Sequence, residues 1–142
     1  MYYDYLDIAT ESIEKVFISK VRNLGLLTNY EFDNRYVCDE NGLVYLIVNQ
    51  DRFKYFAKPM RPFTTRDGYT EYVLTTKYGN KKHVQAQRIV CELFNGLPDN
   101  PNKKYVNHID GKRDNNYYKN LEWVTHSENM LHSYKYLRTK NK

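Results

Sequence analysis

The spacing of apolar positions changes along the chain, and each change of period marks a different element. Ile13, Val16, Phe17, Val21 and Leu24 recur at helical spacing. Thr10 can cap such a helix, Glu11 and Glu14 fall in its first turn, and Gly25 can end it. The pattern predicts an amphipathic N-terminal helix, acidic at its start, suited to packing or to contact with a second copy in a homodimer. From Tyr30 to about Ala86 the pattern turns to β structure. Arg35–Cys38 and Leu43–Val48 flank Asp39-Glu40-Asn41-Gly42, whose Asn-Gly pair suits the positive φ of a tight hairpin. Arg52–Ala57 reads as a third strand. Tyr69–Thr76 reads as another, after the breaker-rich Lys58-Pro59-Met60-Arg61-Pro62, and a turn follows around Lys77–Lys81. A short helix is predicted over Gln85–Phe94 with Ile89, Val90, Leu93 and Phe94 inward, stopped by Asn95-Gly96-Leu97-Pro98.

The last segment packs four elements into a short length. Lys104–Ile109 reads as a strand, residues 110–116 as a long polar turn, and Leu121–Val124 as a second strand anchored by Trp123. A helix then begins near Thr125, where Thr125-x-x-Glu128 has the spacing of a capping box, with Leu131 and Leu137 on its apolar side. The expected architecture is α+β. An N-terminal helix and an antiparallel β unit occupy residues 1–97, and a strand–loop–strand–helix finger occupies 98–142.

At 142 residues and 41% hydrophobic content the chain can bury a real core, which argues against disorder. No apolar run approaches the roughly 18 residues that a membrane helix needs. Met1-Tyr2-Tyr3-Asp4-Tyr5 lacks the basic and apolar stretches of a signal peptide, so a soluble, cytoplasmic protein is expected. Cys38 and Cys91 are far apart and form no Cys-x-x-Cys, which excludes a zinc ribbon and leaves two reduced thiols. Charge is divided unevenly. Residues 1–50 hold four Lys/Arg against eight Asp/Glu, net −4, whereas residues 51–142 hold eighteen against nine, net +9. The basic surface therefore belongs to the later two-thirds of the chain, as a polyanion-binding face would.

Val106-Asn107-His108-Ile109-Asp110-Gly111, then Asn120-Leu121-Glu122-Trp123-Val124-Thr125 and Ser127-Glu128-Asn129, resembles the HNH endonucleases, most closely the small free-standing or intron-encoded homing endonucleases of phages. Tyr36-Val37 to Val44-Tyr45, Asp67-Gly68-Tyr69 and Gln87-Arg88-Ile89-Val90 follow the pattern more loosely. The residues support the chemistry on their own terms. Phosphodiester hydrolysis needs an activated water, a stabilised phosphorane-like transition state and charge relief on the leaving oxygen. His108 ends a strand, so its ring projects from a fixed base and can accept a proton near neutral pH. Asn120 begins the next strand, where its amide can bridge the loop and set the orientation of His108. Asn107 and Asn129 could offer oxygen ligands to one divalent cation.

The resemblance implies the same roles: His108 as general base, Asn120 as loop brace, Asn107 and Asn129 as metal ligands within a ββα-metal finger. It also implies DNA as the partner and products with 5′-phosphate and 3′-hydroxyl ends. Two positions depart from the family's pattern, since the residue before the base is often Asp or His and the third letter of the name is His. Two neutral amides favour a hard ion shared with DNA phosphate and water, Mg²⁺ first and Mn²⁺ as the alternative.

Asn115 and Asn116 suit turn positions. Asp110 also reads as a turn residue, with assistance to the metal as its alternative. His132, three residues beyond Asn129, could reach the metal or a phosphate or simply be a surface residue, and His83 and His126 read as surface residues. Arg88, Lys103, Lys104, Lys112 and Arg113 are the expected phosphate contacts, and Arg52, Lys54, Lys58, Arg61 and Arg66 could extend the track between aromatics that read as core. Two rival readings stand beside the nuclease. One is a DNA-binding module whose site has decayed, which the weak ligands allow and the intact His108 and Asn120 oppose. The other is an RNA-binding β domain with exposed stacking aromatics.

Overall fold

The computed structural model describes residues 5–7, 12–14, 21–51 and 54–140, with side chains described over 21–47 and 57–135. Strands β1 (Tyr5–Asp7), β2 (Ser12–Glu14), β3 (Val21–Asn23), β4 (Tyr36–Asp39), β5 (Val44–Asp51) and β6 (Lys54–Pro59) form one sheet. Its order is β2-β1-β6-β5-β4-β3. Every neighbouring pair is antiparallel except β1 and β6, which run parallel. A three-stranded antiparallel sheet follows, made of β7 (Phe63–Thr64), β8 (Thr70–Thr75) and β9 (Lys81–Gln85), and leads into helix α1 (Ala86–Asn95). The chain ends in the strand pair β10 (Tyr105–His108) and β11 (Leu121–Val124) and helix α2 (His126–Lys140).

The expected N-terminal helix is absent where the chain is described. Ile13 lies in β2, Val21 in β3, and Leu24 in a single 3-10 turn over Leu24–Leu26. Strand pairing satisfies the same apolar residues differently. Val21 pairs with Asp39 across β3–β4 and packs with Val37, Tyr45 and Ala57, while Leu24 is wholly buried in the main core. Asn23 accepts a hydrogen bond from the Gly25 amide at 2.7 Å and donates to the Asn34 carbonyl at 2.7 Å, which closes the turn after one cycle. Thr10, Glu11, Val16 and Phe17 lie outside the described residues, as do Arg52 and Phe53 and the side chains of Lys54, Tyr55, Phe56 and Leu137.

The remaining elements keep close to the apolar pattern. The β4–β5 hairpin turns at Gly42 with φ of 88°, and buried Asp39 accepts there from the amides of Asn41 and Leu43, each at 2.9 Å. Strand β9 escapes the pattern because only Val84 within it is buried. Helix α1 sits at the centre of the core: Ile89, Val90 and Cys91 are fully buried, and Leu93 and Phe94 pack partly buried beside them. Both thiols are free and buried, and burial pushes that of Cys91 up to about 11. Leu121 of β11 belongs to the same buried cluster, so the core continues across the expected 97/98 boundary. No helix among the described residues is long and apolar enough to cross a membrane.

Tyr72 on β8 ties the hairpin to this core. Its buried hydroxyl donates to the Gly42 carbonyl at 2.9 Å and accepts from the Val44 amide at 3.3 Å. Removing the oxygen leaves both backbone groups without a partner, so Tyr72→Phe should cost about 1–2 kcal/mol in urea unfolding. Burial pushes the phenol up to about 12 from 10.0. The folded pKa is therefore raised, and the stability it contributes is complete below pH 10 and lost as pH rises through 12. The stability gap between the natural protein and Tyr72→Phe should shrink across that window, and a constant gap from pH 9 to 12 would refute the assignment.

Candidate active site

Helix α1 holds the finger by three separate contacts. At its C-terminus, Asn95 Nδ2 donates to the carbonyls of Tyr118 and Leu121 at 2.9 and 3.1 Å, which seats the start of β11. Trp123 Nε1 donates to the Gly96 carbonyl at 2.8 Å. Arg88 donates to the Lys104 carbonyl at 2.6 Å and lays its guanidinium over the Trp123 ring, 5.6 Å from the centroid. Arg88, an expected phosphate contact, is thus engaged in joining α1 to β11 and to the residue that precedes β10.

On that base, β10 and β11 pair with Asn107 opposite Glu122 and His108 opposite Leu121. Both Asn107 and His108 are buried. Helix α2 starts with the reciprocal cap its sequence predicts: the Thr125 amide donates to Glu128 Oε1 at 3.1 Å and the Glu128 amide to Thr125 Oγ1 at 3.2 Å. That cap sets the first turn, and with it Asn129 and His132. His132 Nε2 meets the Ile109 carbonyl at 3.2 Å, and a carbonyl only accepts, so this nitrogen carries a proton.

These strands, the loop between them and α2 enclose a cleft of about 540 Å³. Asn107, His108, Lys112, Arg113, Asn129 and His132 all line it, together with Asp67 and Tyr69 from the β7–β8 turn. The structure therefore brings together His108 and both expected ligands with two of the expected phosphate contacts. Asn120, Lys103 and Lys104 lie outside that lining. Among the described residues no cluster of three or more His, Cys, Asp or Glu could hold a metal ion, and the cleft sets the side-chain amides of Asn107 and Asn129 among its lining.

Asn120 spans the loop with both ends of its amide. Its Oδ1 accepts from the Asp110 amide at 3.0 Å, and its Nδ2 donates to Asp110 Oδ1 and to the Asn115 carbonyl, each at 2.9 Å. Asp110 also accepts from the Lys112 amide and from Asn115 Nδ2, both at 2.8 Å. Burial raises the pKa of its carboxyl, but these hydrogen bonds outweigh it and hold it below the ordinary value. Asp110 is thereby committed to the loop.

The ring of His108 is held by Asn116 rather than by Asn120. Asn116 is buried, and its Oδ1 lies 2.8 Å from His108 Nε2. An amide oxygen only accepts, so Nε2 carries the proton and Nδ1 keeps the lone pair. Burial is the largest influence on this imidazole and lowers its pKa, against the hydrogen bond to Asn116 and the charge of Asp110, which raise it. His108 is consequently neutral at neutral pH. Asn116, which reads in sequence as a turn residue, does more than turn the chain. It packs under the β4–β5 hairpin, where a Cβ on Gly42 would come within 3.2 Å of Asn116 Cβ.

Tyr69 and Glu122 were also not singled out in the sequence. The Tyr69 ring lies 6.0 Å from that of His108 and beneath the Arg113 guanidinium at 4.8 Å, while Arg113 donates to the Asp67 carbonyl. Glu122 Oε1 accepts from Asn107 Nδ2 at 3.0 Å. The cross-strand register announces the second contact once the strands are paired, whereas nothing local announces the first.

Residues 84–131 match the family model described as HNH endonuclease. The chain is 32% identical over 146 aligned residues to the uncharacterized HNH endonuclease L245 of Acanthamoeba polyphaga mimivirus, covering 96% of this chain and 42% of that one. It is 38% identical over 82 residues to YosQ, an SPbeta prophage-derived protein of Bacillus subtilis (strain 168) named among the HNH homing endonucleases, covering 58% and 46% of the two chains. The chain thus spans less than half the length of these relatives. A solved structure of DNA binding and cleavage by the HNH homing endonuclease I-HmuI superposes with a TM-score of 0.61 at 26% identity, covering 82% of this chain and 58% of that one. The chain is thus similar to the HNH endonucleases, and residues 84–131, which match their family model, supply most of the residues that line the cleft.

Proposed function

We propose that the protein is a metal-dependent DNA endonuclease of the homing type. The observation that carries this reading is the convergence of His108, Asn107 and Asn129 in one cleft rimmed by Lys112 and Arg113. The names of YosQ and I-HmuI support the homing type, and the I-HmuI structure supports DNA as partner. His108 Nδ1 takes the proton of the attacking water, and Asn116 holds the ring in the tautomer that leaves this atom free to do so. Tyr69 covers one side of the imidazole and limits solvent there. Asn120 keeps the intervening loop closed, so Lys112 and Arg113 stay beside the scissile phosphate.

Asn107 and Asn129 are the residues that would hold a divalent cation. They offer only amide oxygen, which fits a hard ion such as Mg²⁺ or Mn²⁺ whose charge is balanced by DNA phosphate. The bound ion would supply charge stabilisation at the phosphate and the leaving 3′ oxygen. Lys103 and Lys104, just before β10, meet the DNA backbone, and Arg88 contributes by holding Trp123 and the strand pair.

Two predictions follow from these roles. His108→Ala should lower plasmid cleavage by at least about a hundredfold while leaving duplex affinity unchanged. Retention of most activity would remove His108 from the proposed role. Lys112→Ala should make DNA binding less salt-dependent, with the slope of log affinity against log salt falling by about one. An unchanged slope would exclude Lys112 from phosphate contact.

A further inference from the structure

A side-chain amide is nearly symmetric in shape, so turning it over exchanges oxygen for NH₂ with little change in packing. For a metal ligand the two orientations are opposites: the oxygen binds a cation and the NH₂ repels it. A carboxylate has no such ambiguity, because both its ends are oxygen. Asn107 is buried in a lining position of the cleft and faces this choice. Across the strand pair stands Glu122, exposed, in direct register with it, with Oε1 3.0 Å from Asn107 Nδ2. A carboxylate accepts and does not donate, so only the NH₂ end of Asn107 can face it.

We propose that Glu122 is a positioning residue that locks the Asn107 amide with its NH₂ toward β11 and its oxygen available to the cleft. Glu122 lies outside the lining of the cleft and acts through Asn107. It gives a neutral ligand the defined orientation that an aspartate would have by symmetry. The inference rests on the proposed metal-dependent nuclease and adds a residue to it. It also carries a consequence of sign. With aspartate at 107, Glu122 no longer orients a ligand and instead opposes a second carboxylate.

The test is a double-mutant cycle with two readouts. The first is the Mg²⁺ concentration for half-maximal DNA cleavage by the full chain. In the natural background, Glu122→Gln should raise it about tenfold, because glutamine can pair with either end of the Asn107 amide, with a smaller effect on the rate at saturating metal. In the Asn107→Asp background the same substitution should lower it, since glutamine donates where glutamate repelled. A role confined to stability would shift both backgrounds the same way, and that outcome overturns the proposal, as does no shift in either. The second readout needs neither metal nor turnover: the Asn107 side-chain ¹⁵N–¹H pair, identified by its loss in Asn107→Asp. One of its protons should lie downfield and exchange slowly in the natural protein, and should lose both properties in Glu122→Gln. An Asn107 pair that Glu122→Gln leaves unchanged overturns the lock, whereas absence of cleavage by the unsubstituted chain overturns the nuclease reading instead.

Discussion

Helix α1 carries no residue of the proposed chemistry, yet the attachment of the finger to it sets where the chemistry can occur. Its inner face is fully buried through Ile89, Val90 and Cys91, so it cannot shift without opening the core. Its outer and C-terminal side then holds the finger through the Arg88–Trp123 stack, the Trp123–Gly96 bond and the Asn95 clasp on residues 118 and 121. A strand pair of four residues each has little stability alone. Docked on α1, with Leu121 inserted in the common core, it becomes a rigid base for Asn107 and His108. This is why a short, polar, loop-rich segment can present a defined site.

The loop above that base is closed by amides. Asn120 binds Asp110 and Asn115, Asn116 binds His108, and Asn107 binds Glu122. Each bond uses one definite end of an amide, and together they set the tautomer of the imidazole and the orientation of the expected ligand. The β units contribute from outside the finger. The β4–β5 turn lies against Asn116 at Gly42, the Tyr118 amide donates to the Glu40 carbonyl at 3.0 Å, and Arg113 clips the loop to Asp67 and Tyr69. The cleft is therefore a joint product of the finger and the two sheets, although its motif lies in the finger alone.

That division explains how much could be read from the sequence. The finger was legible because its signals are local: a capping box at Thr125 and Glu128, a Trp-anchored strand, and His and Asn at motif spacing. The N-terminal helix was misread because Ile13, Val21 and Leu24 satisfy a helical period as well as they satisfy short strands and a turn, and only the pairing of β2 with β1 and of β3 with β4 decides between them. Strand β9 falls within the stretch expected to be β but was not delimited there, because it buries one side chain. Asn116 looked like one more turn asparagine, since its burial depends on a hairpin more than seventy positions away in the chain. Arg88 read as a phosphate contact because charge is visible in sequence, whereas its contacts with Lys104 and Trp123 are not.

The proposed activity of this cleft is hydrolysis of phosphodiester bonds in DNA with the help of a divalent ion. Incubation of the purified chain with supercoiled plasmid in Mg²⁺, in Mn²⁺ and in chelator tests it most directly, with the product ends read by religation. The expected result is metal-dependent nicking or linearisation that leaves ligatable 5′-phosphate ends and ceases in chelator. Plasmid that is bound but intact under all three conditions would contradict it, and would mark the cleft as that of a DNA-binding module without nuclease activity.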